Sequence, residues 1–405
     1  MKAQHGLKQD LGLAEAQPYI SGFVGQSRPP LSVVPVDPDV SRASAIGIVL
    51  HDFSLGGTER IAVRLANEWA ETGRTVTIVC GTESGPLRSL VSPRVKLIAL
   101  DPVIERGFGS RRKLGRAAAK VFSRDTVDLV FIPGNFHWQV VPALARLHGA
   151  TRPRIAVQLS TPLIRYDRGR FHQQIYNRWM RWQLRGADAT ISLEDAMTAQ
   201  ADAILRNRIT RRIRTPALER APLASLPLDP ANRTIVAAGR LVAVKGFETA
   251  ISAFALLDDP NARLVILGEG PLRETLQRQA EQLGVADRVE LPGYVACIRP
   301  WLDKAGMFLL SSRYEGYPAV LIEAIAAGRP VVATRCTPAV EELVDRTGFG
   351  ASAPIDDPAA LADAMARVFA ATPVCPVQMA AAVSPFGIEN CARDYLGMFD
   401  TLCAG

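Results

Sequence analysis

The chain has 405 residues, 48% of them hydrophobic and 21% charged, a globular composition too long for one ordinary core, so two domains are expected. No apolar run approaches the ~18 residues of a membrane-spanning helix, and no basic segment followed by a long apolar one marks a secretory leader at the N-terminus. The net charge of +7 hides a split: residues 45–215 carry 27 Lys+Arg against 14 Asp+Glu, residues 216–405 carry 16 against 22, and the first 44 residues are balanced.

Residues 1–44 show weak periodicity and several prolines, as in "SRPPLSVVPVDPD", and read as a disordered extension. The D-x-D at Asp37–Asp39 falls inside it and reads as a turn, with no metal site expected there or elsewhere. From 45 to 215, strand-like and helix-like runs alternate. "IGIVLH" (46–51) is a strand, and "ERIAVRLANEWAETG" is a helix with Ile61, Leu65 and Trp69 on one face and Gly73 as its stop. Between them, "HDFSLGGTER" places Gly56-Gly57, where a backbone can approach a ligand closely. A plain tight turn before a helix capped by Thr58 is the alternative. "TVTIVC", "VKLIAL", "VDLVFIP", "RIAVQLS" and "ADATISL" are further strands. Continuous apolar strands separated by helices imply a parallel sheet covered on both faces. His137, in "PGNFHWQ", follows such a strand and is expected at the cleft, although a lone histidine is often structural.

Prolines mark residues 216–232 as a linker. A second alternation fills 233–385: "TIVAAG", a helix from Phe247, "ARLVILG", a helix from Pro271, "RVELPGY", "MFLLSS", a helix from Ala319, "PVVAT", and a helix from Pro358. Residues 386–405, "GIENCARDYLGMFDTLC" and its flanks, form a last helix expected to pack back on the first domain. The fold class is thus α/β, with two doubly wound, Rossmann-like domains facing a central cleft. Ligands are expected at the C-terminal ends of the strands. Six cysteines, at 80, 297, 336, 375, 391 and 403, include no C-x-x-C and read as reduced thiols, with the cytoplasm as the expected compartment.

Two stretches of the second domain carry chemistry. In "GRLVAVKGF", Arg240 and Lys245 follow a strand end, and a guanidinium fork beside an ammonium suits a diphosphate. In "EGYPAVLIEAIAAGRPVV", Glu315 stands at a strand end and Glu323 one turn into the following helix. Carboxylates are rarely buried unpaired, and they accept well from neighbouring sugar hydroxyls. Pro318 has no N–H, so Tyr317, Ala319 and Val320 must supply any backbone donors at the helix start.

The ordered set "GRLVAVKG", "ARLVILGEGPLRETL", "RVELPGYV" and "SSRYEGYPAVLIEAIAAGRPVVAT" resembles glycosyltransferase family 4, from Ile46 to the C-terminus and most strongly over 239–334. The resemblance implies a GT-B fold and retaining, metal-independent transfer from a UDP- or GDP-type sugar, with no cofactor. It implies that Arg240 and Lys245 bind the donor diphosphate, Glu315 the donor sugar hydroxyls and Glu323 the ribose. The backbone around Tyr294 would flank the base. Gly56-Gly57 would lie near the phosphates and acceptor, and His137 near the reacting carbon. The chain departs from the family with Thr215-Pro216 where an Asn-Pro is common, and with "SLEDA" where a serine follows the "AD" strand.

The excess positive charge concentrates in two helices. Arg112, Arg116, Lys120 and Arg124 form one stripe, and Arg178, Arg181 and Arg185 lie beside Trp179 and Trp182. Such faces suit an anionic membrane surface, while a solvated face over core tryptophans is the plainer alternative. No nucleic-acid-binding pattern is present. The expected activity is sugar transfer to a saccharide or lipid-linked acceptor in bacterial-type cell-surface polysaccharide or glycolipid synthesis. The alternatives are an epimerase on the same fold and a non-catalytic nucleotide-sugar binder.

Overall fold

A computed structural model of the chain describes residues 42–164, 169–205, 209–219 and 227–404. The extension expected over 1–44 therefore lies almost wholly outside the described residues, as do Asp37–Asp39 and part of the 216–232 segment.

The first layered unit runs β1 (Ala45–Leu50), α1 (Gly57–Glu71), β2 (Thr75–Cys80), β3 (Lys96–Ala99), α2 (Ser110–Arg124), β4 (Leu129–Ile132), α3 (Val141–Leu144), β5 (Arg154–Gln158), α4 (Arg170–Gln183), β6 (Ala189–Ser192), α5 (Asp195–Leu205) and β7 (Ile209–Arg212). Its strands pair in parallel in the order β3-β2-β1-β4-β5-β6-β7. The second runs β8 (Thr234–Ala238), α6 (Phe247–Leu256), β9 (Arg263–Leu267), α7 (Arg273–Gln282), β10 (Val289–Gly293), α8 (Arg299–Leu302), β11 (Met307–Leu310), α9 (Ala319–Ala326), β12 (Val331–Thr334), α10 (Pro338–Val340), β13 (Gly350–Ala353), α11 (Pro358–Ala370) and α12 (Pro376–Val383). Its parallel order is β10-β9-β8-β11-β12-β13. Each sheet reverses its winding once, between β1 and β4 and between β8 and β11. Those are the places where loops diverge and leave a crevice at the strand ends.

The strands read as continuous apolar runs because both faces are covered. On one face of the first sheet, Ile46, Ile48 and Phe131 pack with Leu65 and Trp69 of α1; on the other, Val49, Val130 and Ile132 pack with Leu114, Phe122 and Met180 from α2 and α4. The last helix, α13 (Ile388–Ala404), belongs to the α1 side of this sheet. Trp69 is enclosed by Phe131, Tyr395 and Phe399, and its indole N–H donates to the Ala392 carbonyl at 3.3 Å. Arg74 forks onto Asp400 at 2.9 and 2.8 Å, tying the same helix to the start of β2. The chain crosses between the two sheets twice. The crossings pair with each other: Leu218 N–H donates to Phe386 O at 3.2 Å, and Ile388 N–H to Leu218 O at 2.9 Å.

Two helix starts differ from expectation. Thr58 does not cap α1; the helix begins at Gly57 behind Gly56, with no side-chain cap bond. The helix expected from Pro271 begins at Arg273, because Leu272 N–H turns back to Leu241 O at 3.1 Å and holds Pro271-Leu272 as a turn. Among the described residues no helix is long and apolar enough to cross a membrane.

Trp69→Ala removes the ring that α13 closes over. It is expected to destabilise the fold by about 3–5 kcal/mol in urea titration, and a loss under about 1 kcal/mol would contradict this packing.

Candidate functional site

The β8 loop reaches the end of β11 by a close backbone approach. Ala243–Lys245 form a single 3-10 turn closed by Gly246 at φ 61°, in the left-handed region. A Cβ on Gly246 would lie 2.2 Å from the Ser311 carbonyl oxygen, so the loop seats only with glycine there. The buried Ser311 hydroxyl donates to the Lys245 carbonyl at 2.9 Å, and Arg313 N–H to Val244 O at 2.8 Å. The Lys245 ammonium is thereby set 2.6 Å from Glu315 Oε1, which also accepts from the buried Ser312 hydroxyl at 2.7 Å. Arg240 is exposed on the same loop, with no carboxylate partner among the described residues. The sequence thus brings Lys245 and Glu315 into contact and leaves Arg240 at the mouth. Ser311 and Ser312, which hold both, carry no signal in the sequence because they read as the end of an apolar strand.

Glu323 lies on α9, turned toward the first unit. Burial pushes its carboxyl up from the ordinary value, while Arg64 and Arg60 of α1 act in the opposite sense. Tyr294, just past β10, is 50% exposed. Of the amides expected at the α9 start, that of Ala319 already donates to the Tyr317 carbonyl at 2.9 Å, a correction to the expectation that it is an open donor. The Tyr317 and Val320 amides donate to no backbone carbonyl among the described residues. The Pro318 ring sets this geometry by forcing a tight turn before the helix.

On the first sheet, the crevice between β1 and β4 holds a charged group that the sequence does not reveal. Arg106 ion-pairs with Asp52 through two contacts and with Glu59 at 2.8 Å. Burial raises the Asp52 carboxyl, but Arg106 and Ser54 overcome it and bring the group down to about 2. Glu59 folds back beneath the glycine pair: a Cβ on Gly56 would lie 2.0 Å from its Oε2, whereas Gly57 faces open space. The Arg106 and Arg111 guanidiniums lie over the Phe136 ring at 4.6 and 4.1 Å.

His137 is a correction. It is expected at the cleft, yet its side chain is 0% exposed. The 3-10 turn Asn135–Val140 rotates the ring inward, where Nε2 accepts from the His51 amide at 3.1 Å. Burial first, then neighbouring His51 and Arg106, lower its pKa to about 3, so it stays neutral at ordinary pH.

The two crevices meet at a second close approach. A Cβ on Gly316 would lie 2.0 Å from the Ser160 carbonyl oxygen of the first unit. Ser160 is itself held by Asn135, whose Oδ1 accepts its amide at 2.8 Å, while Asn135 Nδ2 donates to Thr161 Oγ1 at 2.6 Å. The turn that carries Glu315 therefore rests directly against the loops after β4 and β5. A cation, a carboxylate and a helix start on one wall, with a glycine pair and a polar loop on the other, suit a ligand that has a diphosphate and hydroxyls.

Family models agree with this division. "Glycosyl transferase 4-like domain" matches residues 56–217, and "Glycosyl transferases group 1" matches 232–371. The chain belongs to the group 1 glycosyltransferases. An uncharacterized glycosyltransferase of Haemophilus influenzae is 27% identical over 75% of this chain and 83% of its own. The lipopolysaccharide core biosynthesis mannosyltransferase LpsB of Rhizobium meliloti is 29% identical over 57% of this chain and 70% of its own. Among solved structures, HepE of Anabaena in complex with UDP superposes with a TM-score of 0.71 at 18% identity, covering 88% of this glycosyltransferase and 100% of HepE. WaaG, a glycosyltransferase involved in lipopolysaccharide biosynthesis, gives 0.66 at 16%, covering 87% and 99%. These likenesses show the GT-B fold.

Gly316→Ala places a methyl group where the Ser160 carbonyl stands. Transfer is expected to fall at least 10²-fold, the scale of a 1 Å misplacement, with a nearly unchanged melting temperature. A loss below about threefold would contradict the close approach.

Proposed function

We propose that this glycosyltransferase is a retaining, metal-independent enzyme. It moves a hexosyl group from a UDP- or GDP-type sugar to the hydroxyl of a saccharide or lipid-linked acceptor, in bacterial cell-surface polysaccharide or glycolipid assembly. The observation that carries the reading is the Lys245–Glu315 contact at the β8/β11 crevice, facing the β1/β4 crevice across the Gly316–Ser160 approach. Support for the donor comes from HepE, whose complexes hold UDP and, in one, glucose. Support for the pathway class comes from the lipopolysaccharide roles of LpsB and WaaG.

In this reading the diphosphate sits over the Lys245 loop, within reach of the Arg240 fork and the Tyr317 and Val320 amides. As the glycosyl bond breaks, charge grows on the departing phosphate oxygen, and these donors stabilise it. Glu315 releases the Lys245 ammonium to the diphosphate and takes sugar hydroxyls in its place. Ser312 keeps hold of one carboxylate oxygen meanwhile. Glu323 accepts the ribose hydroxyls and Tyr294 lies beside the base. The acceptor oxygen bonds to the anomeric carbon on the face the phosphate leaves, and its proton passes to that phosphate. No side-chain base is required, in keeping with the enclosed, neutral His137. Gly57 gives the phosphates and acceptor a side-chain-free approach, and Gly56 does so indirectly by making room for Glu59.

Membrane association is part of the proposal. Arg112, Arg116, Lys120 and Arg124 lie along α2 and are all exposed there. On α4, Phe171, Ile175 and Trp182 are 71%, 54% and 53% exposed, with Arg178, Arg181 and Arg185 alongside. Both helices cover the same face of the first sheet. Apolar side chains within a basic surface complement an anionic bilayer at the inner face of the cytoplasmic membrane.

Arg240→Ala or Lys245→Ala is expected to lower transfer on the order of 10²–10³-fold. A loss under about threefold in either would remove it from the diphosphate site. Proton NMR of the first-formed product is expected to show the donor's anomeric configuration, and inversion would refute the retaining course. Reversing Arg112, Arg116 and Lys120 to Glu is expected to abolish sedimentation with anionic phospholipid vesicles, and persistent binding would refute the membrane surface.

A further inference from the structure

The "SLEDA" segment that departs from the family pattern places a carboxylate where the two sheets meet. Glu194 follows β6 and is 2% exposed; no side chain donates to either of its oxygens, and the Ala339 amide of the second unit is near enough to favour its charged form. Its surroundings come from both units. Arg212, at the end of β7, donates to Asp195 Oδ2 and to Glu342 Oε1 of the second unit, each at 2.8 Å. Both terminal nitrogens of the guanidinium are thus committed to other carboxylates. From the second unit, Glu342, the Ala339 amide and the Tyr317 phenol lie within electrostatic reach of Glu194, and Arg214 acts on the phenol. The Tyr317 hydroxyl is also without a partner. Arg212 therefore bonds the exposed Asp195 and the partly exposed Glu342, while the buried Glu194 beside them takes no bond from it.

Tyr317 belongs to the turn that carries Glu315, and its ring lies 6.0 Å from Phe386 at the chain crossing. Whatever tightens the joint presses that turn against Ser160. We propose that Glu194, Arg212 and Glu342 form a proton-gated latch that docks the first unit against the Glu315–Pro318 turn. Burial, then the nearby Glu342, raises the Glu194 pKa from 4.5 to about 7, against the pull of Arg212. A carboxyl whose pKa is higher in the docked state favours docking when protonated. The advantage is complete below the ordinary value and is lost as pH rises through about 7. When undocked, water solvates the ionised group at no comparable cost. The effect on transfer rests on the assignment of Glu315 to the donor sugar; the docking equilibrium does not.

The test is small-angle X-ray scattering of the full chain without substrate from pH 5.5 to 8.5, on the wild type, Glu194→Gln and Glu342→Gln. The wild type is expected to expand as pH passes about 7, with the docking constant falling about 30-fold across the range. Glu194→Gln is expected to stay compact throughout, and its kcat/KM profile to lack the corresponding alkaline fall. Glu342→Gln frees Arg212 for Glu194 and is expected to move the expansion midpoint to lower pH. A wild type that does not expand, or a Glu194→Gln protein that expands as the wild type does, overturns the latch. The wild-type series alone tests the latch even if a variant fails to fold. Scattering as expected with an unaltered kcat/KM profile would fault the Glu315 assignment and leave the latch standing.

Discussion

The Ser160 carbonyl and the Gly316 α-carbon lie so close that no side chain fits between them. That approach fixes the arrangement of the site. It presses the loops after β4 and β5 onto the turn that carries Glu315, and so sets the two crevices against each other. The approach is stable because both partners are held from behind. Asn135 grips Ser160, and the β11 end, with Ser311 and Ser312, holds the Lys245 loop and the Glu315 carboxylate. Two sheets that each reverse winding once make this possible, since each reversal opens a crevice at the strand ends.

Charge is distributed according to what each wall must do. The β8/β11 crevice pairs Lys245 with Glu315, a contact that in the proposed reading a diphosphate and a sugar replace partner by partner. The β1/β4 crevice instead shields its carboxylates with Arg106, which keeps Asp52 and Glu59 from opposing an anionic ligand. Between the units, Arg212 bonds Asp195 and Glu342 through its terminal nitrogens, while the buried Glu194 beside it takes no bond from it. A site that must open for substrate and close for transfer benefits from a joint of that kind, since a fully satisfied buried network would resist opening.

Much of the second unit is legible in the sequence because its chemistry is local. Lys245 and Glu315 each stand within a few residues of a strand end, and apolar runs locate strand ends well. The same logic misplaces His137. Position after a strand does not fix side-chain direction, and the 3-10 turn over Asn135–Val140 sends the ring into the core. The Arg106–Asp52–Glu59 group and the Glu194–Arg212–Glu342 joint are not legible, since their members are brought together by loops and sheet order rather than by spacing. Gly316 reads as part of a turn; only the neighbouring unit explains why it must be glycine. The basic stripe on α2 follows from helical spacing, but the exposed Phe171 and Ile175 of α4 are hidden in a run that looks like core.

Whether the donor nucleotide binds at the β8/β11 crevice is tested most directly by calorimetric titration. UDP and GDP would be titrated into the wild type, Lys245→Ala and Arg233→Ala, the last at the opposite end of β8. One nucleotide is expected to bind the wild type and Arg233→Ala alike, and Lys245→Ala at least tenfold more weakly. Equal binding by Lys245→Ala would contradict the assignment and place the nucleotide elsewhere on the chain.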